Sequence, residues 1–212
     1  MYQEDKAEII RNALKLIETG IIKSTTGNLS KRVKDHIIFT PSGMDYKEVD
    51  EDDMVVLDLE GEVVEGKRTP SKEKDGCLYI YNHMPSVKAI IHTHQVYATA
   101  VGLISDRLPV ILTTLASAVG GEIKVTPYAP AGSLETGKYT VDHIGDKRAV
   151  ILKHHGVNVI GKSLNEALHA AIYLEEAAQT YLLVKPISEP EVLNDWQIKK
   201  AHEVYKDYLV EK

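Results

Sequence analysis

Two histidines stand two residues apart at the end of an apolar run, Ala89-Ile90-Ile91-His92-Thr93-His94. On a strand, alternate side chains share a face, so His92 and His94 project to one side. A third imidazole follows a second apolar run, where Ala149–Leu152 leads into Lys153-His154-His155-Gly156. Upstream lies Glu73, at the start of a helix-like segment. A His-x-His on a stiff strand, a distant histidine and a carboxylate make a ligand set for one Zn²⁺ or Fe²⁺. His154 reads as a neighbour of that set. His36, His83, His143, His169 and His202 have no ligand-like setting and read as surface or packing residues.

Three small polar loops offer a second kind of chemistry: Thr26-Gly27-Asn28, Ser42-Gly43 and Ser71-Lys72. Glycine lets backbone N–H groups approach an anion closely, and successive N–H groups can form an anion-binding nest. Thr26, Ser42 and Ser71 add hydroxyl donors, and Lys72 adds a point charge. Ser71 also stands where a helix N-terminus presents free N–H groups. Taken singly, each loop uses only the residues that turns use. No GxxxxGK[ST] occurs, so this is not a Walker loop.

Periodicity supplies the elements that must hold these groups. Apolar residues at three- and four-residue spacing predict a helix over 2–17, ended by Gly20. Residues 29–33 and 36–40 read as strands around Lys34-Asp35, and 54–59 and 62–64 as a hairpin around Glu60-Gly61. A helix over 73–84, with Ser71 as a candidate cap, is stopped by Pro85. Then come a buried strand at 87–92, a helix at 96–104, a strand at 109–112, a loop or short helical turn at 116–121, and an extended stretch at 123–125. Ser133 is placed to cap a helix over 133–144, with Glu135 near its positive end. Strands at 149–152 and 157–160 flank the third histidine. Ser163 caps the longest helix, about 164–184, and 197–209 reads as a polar last helix or tail. Hairpin-linked strands interleaved with helices predict an α/β layered sandwich around a mixed, mostly antiparallel sheet, not a regular βαβ array.

The 212 residues suit one domain over 1–212, with a C-terminal tail from about 190. The net charge of −6 argues against a nucleic-acid footprint. Cys77 is the only cysteine, so no intrachain disulfide can form, and the expected location is cytoplasmic. Its apolar neighbours make it a packed thiol, not a nucleophile. MYQEDKAEII lacks a signal-peptide pattern, and no apolar run approaches the roughly 18 residues of a membrane span.

Gly27-Asn28-Leu29-Ser30, Thr40-Pro41-Ser42-Gly43, Pro70-Ser71-Lys72-Glu73, His92-Thr93-His94 and His154-His155-Gly156 occur in this order. Together they resemble the class II aldolase/adducin family over nearly the whole chain, its bacterial L-fuculose-1-phosphate aldolase branch most of all. The resemblance implies an α/β sandwich assembled as a homotetramer, with one Zn²⁺ per subunit near the subunit interfaces. It implies aldol cleavage of a ketose 1-phosphate, L-fuculose 1-phosphate to dihydroxyacetone phosphate and L-lactaldehyde. It makes His92, His94 and His155 the imidazole ligands. Glu73 becomes the carboxylate that ligates the resting metal and then serves as acid/base. Gly27, Asn28, Ser42, Gly43, Ser71 and Lys72 would hold the substrate phosphate. Two departures stand out. The family usually reads Ser-Ser-Glu where this chain has Ser71-Lys72-Glu73. The segment 108–118, which carries a proton-donating tyrosine in that branch, has Thr113 and Thr114 and no tyrosine, which leaves Tyr205 and Tyr208 of the tail as candidate donors. Other reactions of the same scaffold are decarboxylation of a phosphorylated keto acid, dehydration of a thioribulose phosphate and 4-epimerisation of a pentulose phosphate. Adducin heads are assembly modules that lack the histidines.

Overall fold

Period-two alternation sorts the strand side chains onto two faces. Ile37, Phe39, Val55, Leu57, Ile90, Val150, Leu152 and Ile160 go to one core, and Ile38, Val56, Ala89, Ile91, Ala149, Ile151, Val157 and Val159 go to the other. The computed structural model describes residues 1–210, the side chains of 205–210 excepted. Helix α1 (Gln3–Glu18) leads into β1 (Asn28–Val33), β2 (His36–Phe39), β3 (Val55–Asp58) and β4 (Val63–Glu65). Then follow α2 (Lys74–His83), β5 (Ala89–Thr93), α3 (Val96–Ile104), β6 (Arg107–Leu108), α4 (Thr113–Val119) and β7 (Ile123–Lys124). The chain continues through α5 (Leu134–Ile144), β8 (Ala149–Leu152), β9 (Gly156–Gly161), α6 (Leu164–Val184) and α7 (Asp195–Val210).

The main sheet has seven strands in the order β4-β3-β2-β1-β5-β9-β8, and every neighbouring pair is antiparallel. Helices α2 and α5 cover one face, while α1, α3, α4 and α6 cover the other. The predicted α/β/α sandwich is therefore the observed architecture. Strand β5, which ends in His92-Thr93, sits between β1 and β9 and is buried along its whole length.

Two helix contacts hold the site's frame. Helix α6 buries Ala167, Ala170, Ala171, Leu174, Ala177 and Ala178, a small-residue stripe that lets it lie close to its neighbours. The Gln95 amide donates to the Ala171 carbonyl at 2.7 Å, and the Glu175 carboxylate accepts from the Tyr97 and Ala98 N–H groups at 2.9 Å each. These bonds satisfy orphan donors at the start of α3 and anchor the chain just past His94. On the other face, α2 and α5 meet at glycines. A Cβ on Gly137 would stand 2.2 Å from the Gly76 carbonyl oxygen, and one on Gly76 would stand 2.5 Å from Thr136 Oγ1. Only glycine permits that crossing.

Four local expectations need correction. Residues 109–112 are not a strand: the short strand is β6, just before Pro109, which has no N–H to give a ladder. The Val110 carbonyl accepts instead from Leu193 N–H at 2.8 Å. The stretch read as a loop or single turn at 116–121 belongs to α4, which starts at Thr113 and packs on α6 and α7. Ser71 is not the N-cap of α2. That position is Glu73, whose N–H donates to Ser71 Oγ at 3.3 Å. Ser133 does stand at the N-cap of α5, but its hydroxyl makes no capping bond there. Ser163 caps α6 as expected, accepting from Glu166 N–H at 3.2 Å.

Candidate active site

The three histidines converge. Ring centroids lie 5.1 Å apart for His92 and His94, 4.7 Å for His92 and His155, and 5.1 Å for His94 and His155. One ligand nitrogen from each falls within 4.8 Å of the other two. His92 and His94 share a face as strand alternation requires, with their Nε2 atoms 3.1 Å apart. His155 arrives from the β8–β9 turn, closed by its own N–H donating to the Leu152 carbonyl at 3.1 Å. The preceding residue, His154, has φ 59°, a left-handed conformation that costs a non-glycine residue roughly 1–2 kcal/mol. Gly156 then passes so close to β5 that a Cβ there would be 2.3 Å from the Thr93 carbonyl oxygen.

This donor set fits a divalent metal. Neutral imidazole is the ligating form. Burial, together with the neighbouring His155 and His94, pushes the His92 pKa down to about 3. Burial also lowers His94, and burial with the nearby His94 lowers His155. The Nδ1 of His92 is occupied by the Val157 carbonyl and Asn158 Oδ1, each at 3.0 Å, which directs Nε2 at the cluster. Buried His155 Nδ1 has no hydrogen-bond partner. Three neutral imidazoles with ligand nitrogens this close together are a donor set for a divalent ion.

Glu73 stands at the start of α2 with its Oε1 3.8 Å from His155 Nε2. It lies beside the cluster, not within it. Its side chain is half-buried, and desolvation raises its pKa, partly offset by a hydrogen bond from the Gly132 N–H. A carboxyl held above its usual range binds a proton more readily than an exposed one, as a general acid/base must. Cys77, one turn further along α2, is fully buried, with its thiol pushed up to about 12 by burial and by the charge of Glu73. It is a packed thiol, as expected.

Of the three polar loops, the one at 27–28 adjoins this cluster directly. Asn28 is paired with His92 across β1 and β5, and Gly27 packs under the His92 carbonyl, 2.6 Å from where its Cβ would lie. Gly27 and Gly43 have φ of 78° and 74°, the left-handed values their type allows. Thr40 bonds Leu29 through both its N–H and its hydroxyl oxygen, a bridge joins Pro41 to Pro70, and Ser42 N–H donates to the Thr69 carbonyl at 2.9 Å. The loops at 27–28, 42–43 and 71–72 are thus tied to one end of the sheet. Ser71 is buried and Lys72 is exposed beside Glu73. The Thr26 hydroxyl, expected as a further donor, is spent on the Lys23 carbonyl at 2.8 Å.

A family model described as Class II Aldolase and Adducin N-terminal domain matches residues 7–182. The chain belongs to the class II aldolase/adducin family. It is 31% identical over 210 residues to the 5-deoxy-D-ribulose 1-phosphate aldolase of Bacillus thuringiensis serovar kurstaki, covering 98% of each chain. It is 33% identical over 202 residues to the L-fuculose phosphate aldolase of Escherichia coli K12, covering 95% of this chain and 94% of that one. A solved L-fuculose 1-phosphate aldolase superposes with a TM-score of 0.90 at 36% identity, covering 95% of each chain. This family member is a lyase of the metal-dependent, class II kind.

Sequence reasoning missed two groups around this class II site: Asn158 on β9, which bonds His92, and Thr140 on α5, which bonds Asn158. The available signal was a lone amide inside the apolar run Gly156–Gly161. Tyr128, read as a loop packing residue, is exposed and meets the His154 ring edge-on at 6.4 Å between centroids. Tyr205 and Tyr208 lie outside the residues whose side chains are described. Helix α7, which carries them, docks on α4, with Ser117 Oγ donating to the Ala201 carbonyl at 2.8 Å. The remaining histidines have ordinary partners, such as the Tyr2 hydroxyl for His36 and helix carbonyls for His83 and His143. No described helix is long and apolar enough to cross a membrane.

Proposed function

We propose that this chain catalyses reversible aldol cleavage of a ketose 1-phosphate, with L-fuculose 1-phosphate giving dihydroxyacetone phosphate and L-lactaldehyde. The observation that carries the reading is the convergence of three neutral imidazoles beside a half-buried carboxyl of raised pKa. His92, His94 and His155 would hold one Zn²⁺ per chain, with Glu73 as a further ligand at rest. The ion supplies Lewis-acid polarisation of the substrate ketone, which replaces a lysine Schiff base.

Cleavage breaks the C3–C4 bond. The C4 hydroxyl gives up its proton and becomes the aldehyde, and the bonding pair remains on C3, spread toward the C2 oxygen. Glu73 delivers a proton to C3 to complete dihydroxyacetone phosphate, and removes it in the reverse direction. Tyr205 or Tyr208 of the tail would take the C4 hydroxyl proton. Backbone N–H groups at Gly27, Asn28 and Gly43, hydroxyls of Ser42 and Ser71, and the charge of Lys72 would grip the 1-phosphate. We read the whole chain as one catalytic domain that works as a cytoplasmic homotetramer. Exposed Val96, Leu103 and Ile104 on α3 offer apolar surface for that assembly.

A second substrate is favoured by the relative in Bacillus thuringiensis, a 5-deoxy-D-ribulose 1-phosphate aldolase. Both sugars share the dihydroxyacetone phosphate half and differ in the aldehyde. The test is a cleavage panel of ketose 1-phosphates with a coupled assay for dihydroxyacetone phosphate and identification of the aldehyde. Release of L-lactaldehyde supports the first substrate and acetaldehyde the second. Failure to release dihydroxyacetone phosphate from any member would refute the aldolase reading.

A further inference from the structure

Strand β9 carries an amide where its neighbours are aliphatic. Asn158 lies directly opposite His92 in the β5–β9 register, so the two side chains share a face. It is 6% exposed, and Thr140 behind it is fully buried. Buried polar groups of this kind persist because they are bonded, and here every bond has a forced direction.

The chain of bonds starts on α5. The Thr140 hydroxyl donates to the Thr136 carbonyl at 2.7 Å, since a carbonyl can only accept. Its one proton is thereby used, so Thr140 Oγ1 accepts from Asn158 Nδ2 at 2.9 Å. That fixes which end of the amide is nitrogen, an assignment that must be drawn from the bond network. Asn158 Oδ1 therefore faces His92 Nδ1 at 3.0 Å, alongside the Val157 carbonyl at 3.0 Å. Two acceptors around one ring nitrogen require an N–H there. The lone pair of His92 is left on Nε2, the atom aimed at His94 and the cluster.

We propose that Asn158, oriented by Thr140, is a positioning residue that sets the tautomer and ring orientation of His92 for metal binding. The Val157 carbonyl alone accepts the proton but leaves the ring held from one side. The Asn158 oxygen brackets it from a second, and the anchor is the backbone of α5. Partners of this kind around a ligating histidine typically change metal affinity by about 10–100-fold when removed.

The proposal rests on the metal-dependent reading of the site, and its test separates the two. Zinc affinity is measured by competition with a chromophoric chelator for wild type, Asn158→Leu, Thr140→Val and Thr140→Ser. In parallel, the His92 Nδ1–H signal is followed by ¹⁵N-edited NMR in metal-free protein. Valine keeps the volume of threonine and loses the hydroxyl, whereas serine keeps the hydroxyl and loses volume. The expected result is weaker zinc binding in Asn158→Leu by about 10–100-fold, a smaller loss in Thr140→Val, and recovery in Thr140→Ser. The Nδ1–H signal should be sharp in wild type and Thr140→Ser and exchange-broadened in the other two. Zinc binding failing in wild type would overturn the metal reading, while the NMR series would still judge the network. An impaired Thr140→Ser beside an unaffected Thr140→Val, or a wild-type Nδ1–H signal in Asn158→Leu, would overturn the positioning role.

Discussion

Gly156→Ala adds one methyl group at the point where the β9 strand passes the His-x-His. The new carbon would lie 2.3 Å from the Thr93 carbonyl oxygen and 3.2 Å from His94 Cδ2. Comfortable contact needs β5 and β9 to part by about 1 Å there, since nonbonded atoms settle near 3.5 Å. Overpacking of this kind costs about 1–3 kcal/mol. For a chain of this length each kcal/mol lowers Tm by roughly 2–4 °C, so the metal-free variant should melt about 2–12 °C below wild type. The displaced residues include His94 on one side and His155, next in sequence, on the other. A misplacement near 1 Å costs on the order of 10²-fold in turnover. Binding of zinc to the native state raises Tm by mass action, and that increment should shrink with the lost affinity. Calorimetry with chelator and with excess zinc, beside the cleavage assay, gives all three numbers. A variant with the wild-type Tm, zinc increment and turnover would refute the claim that this close approach holds the cluster.

Three further outcomes are expected. Glu73→Gln should retain zinc by elemental analysis while turnover and solvent exchange of the dihydroxyacetone phosphate C–H proton fall together by about 10²–10⁴-fold; unchanged exchange would shift the base to a tail tyrosine. Lys72→Ala should weaken a phosphorylated substrate by about 10–150-fold and spare its unphosphorylated analogue, as for loss of a charge-assisted hydrogen bond; equal losses on both would remove Lys72 from the phosphate site. In metal-free protein, the triad histidines have pKa values below the unfolded value near 6.5, with His92 at about 3, so their contribution to stability is present above pH 6.5 and is lost as pH falls toward 3. His92→Asn should flatten that decline by up to about 1.4 kcal/mol per pH unit, read from melts across pH, and an unaltered slope would contradict the buried neutral imidazole.

Strand alternation made the sheet and the His92–His94 pair legible, because period two is written in residue types. The third histidine of the cluster could be read because His155 also follows an apolar strand. What stayed hidden lies in contacts between distant segments. Helix α4 begins at Thr113-Thr114, residues of weak helix propensity, and it forms by packing against α6 and α7. The segment after β6 looks strand-like in its side chains, yet Pro109 withholds an N–H and Leu193 supplies the bond to Val110. The route from Thr136 to His92 crosses from a helix to two strands, and its only trace in the sequence is one asparagine in an aliphatic run. Ser71 misled as a cap because an N–H donor two residues on satisfies the same hydroxyl without a helix having begun.

The glycine crossing of α2 and α5 bears on the clock of the reaction. Backbone lies against backbone at Gly76 and Gly137, which seats α2 closely on α5. On the proposed mechanism, Glu73 would pass between metal and substrate by rotating its own side-chain bonds. Such rotations take picoseconds to nanoseconds, whereas helix shifts take microseconds to milliseconds. Against enzyme turnovers of roughly 1–10³ per second, such a rotation would not limit the proposed cycle. On that mechanism the slow step would fall to bond cleavage or to the entry and release of substrate and products, not to the motion of Glu73.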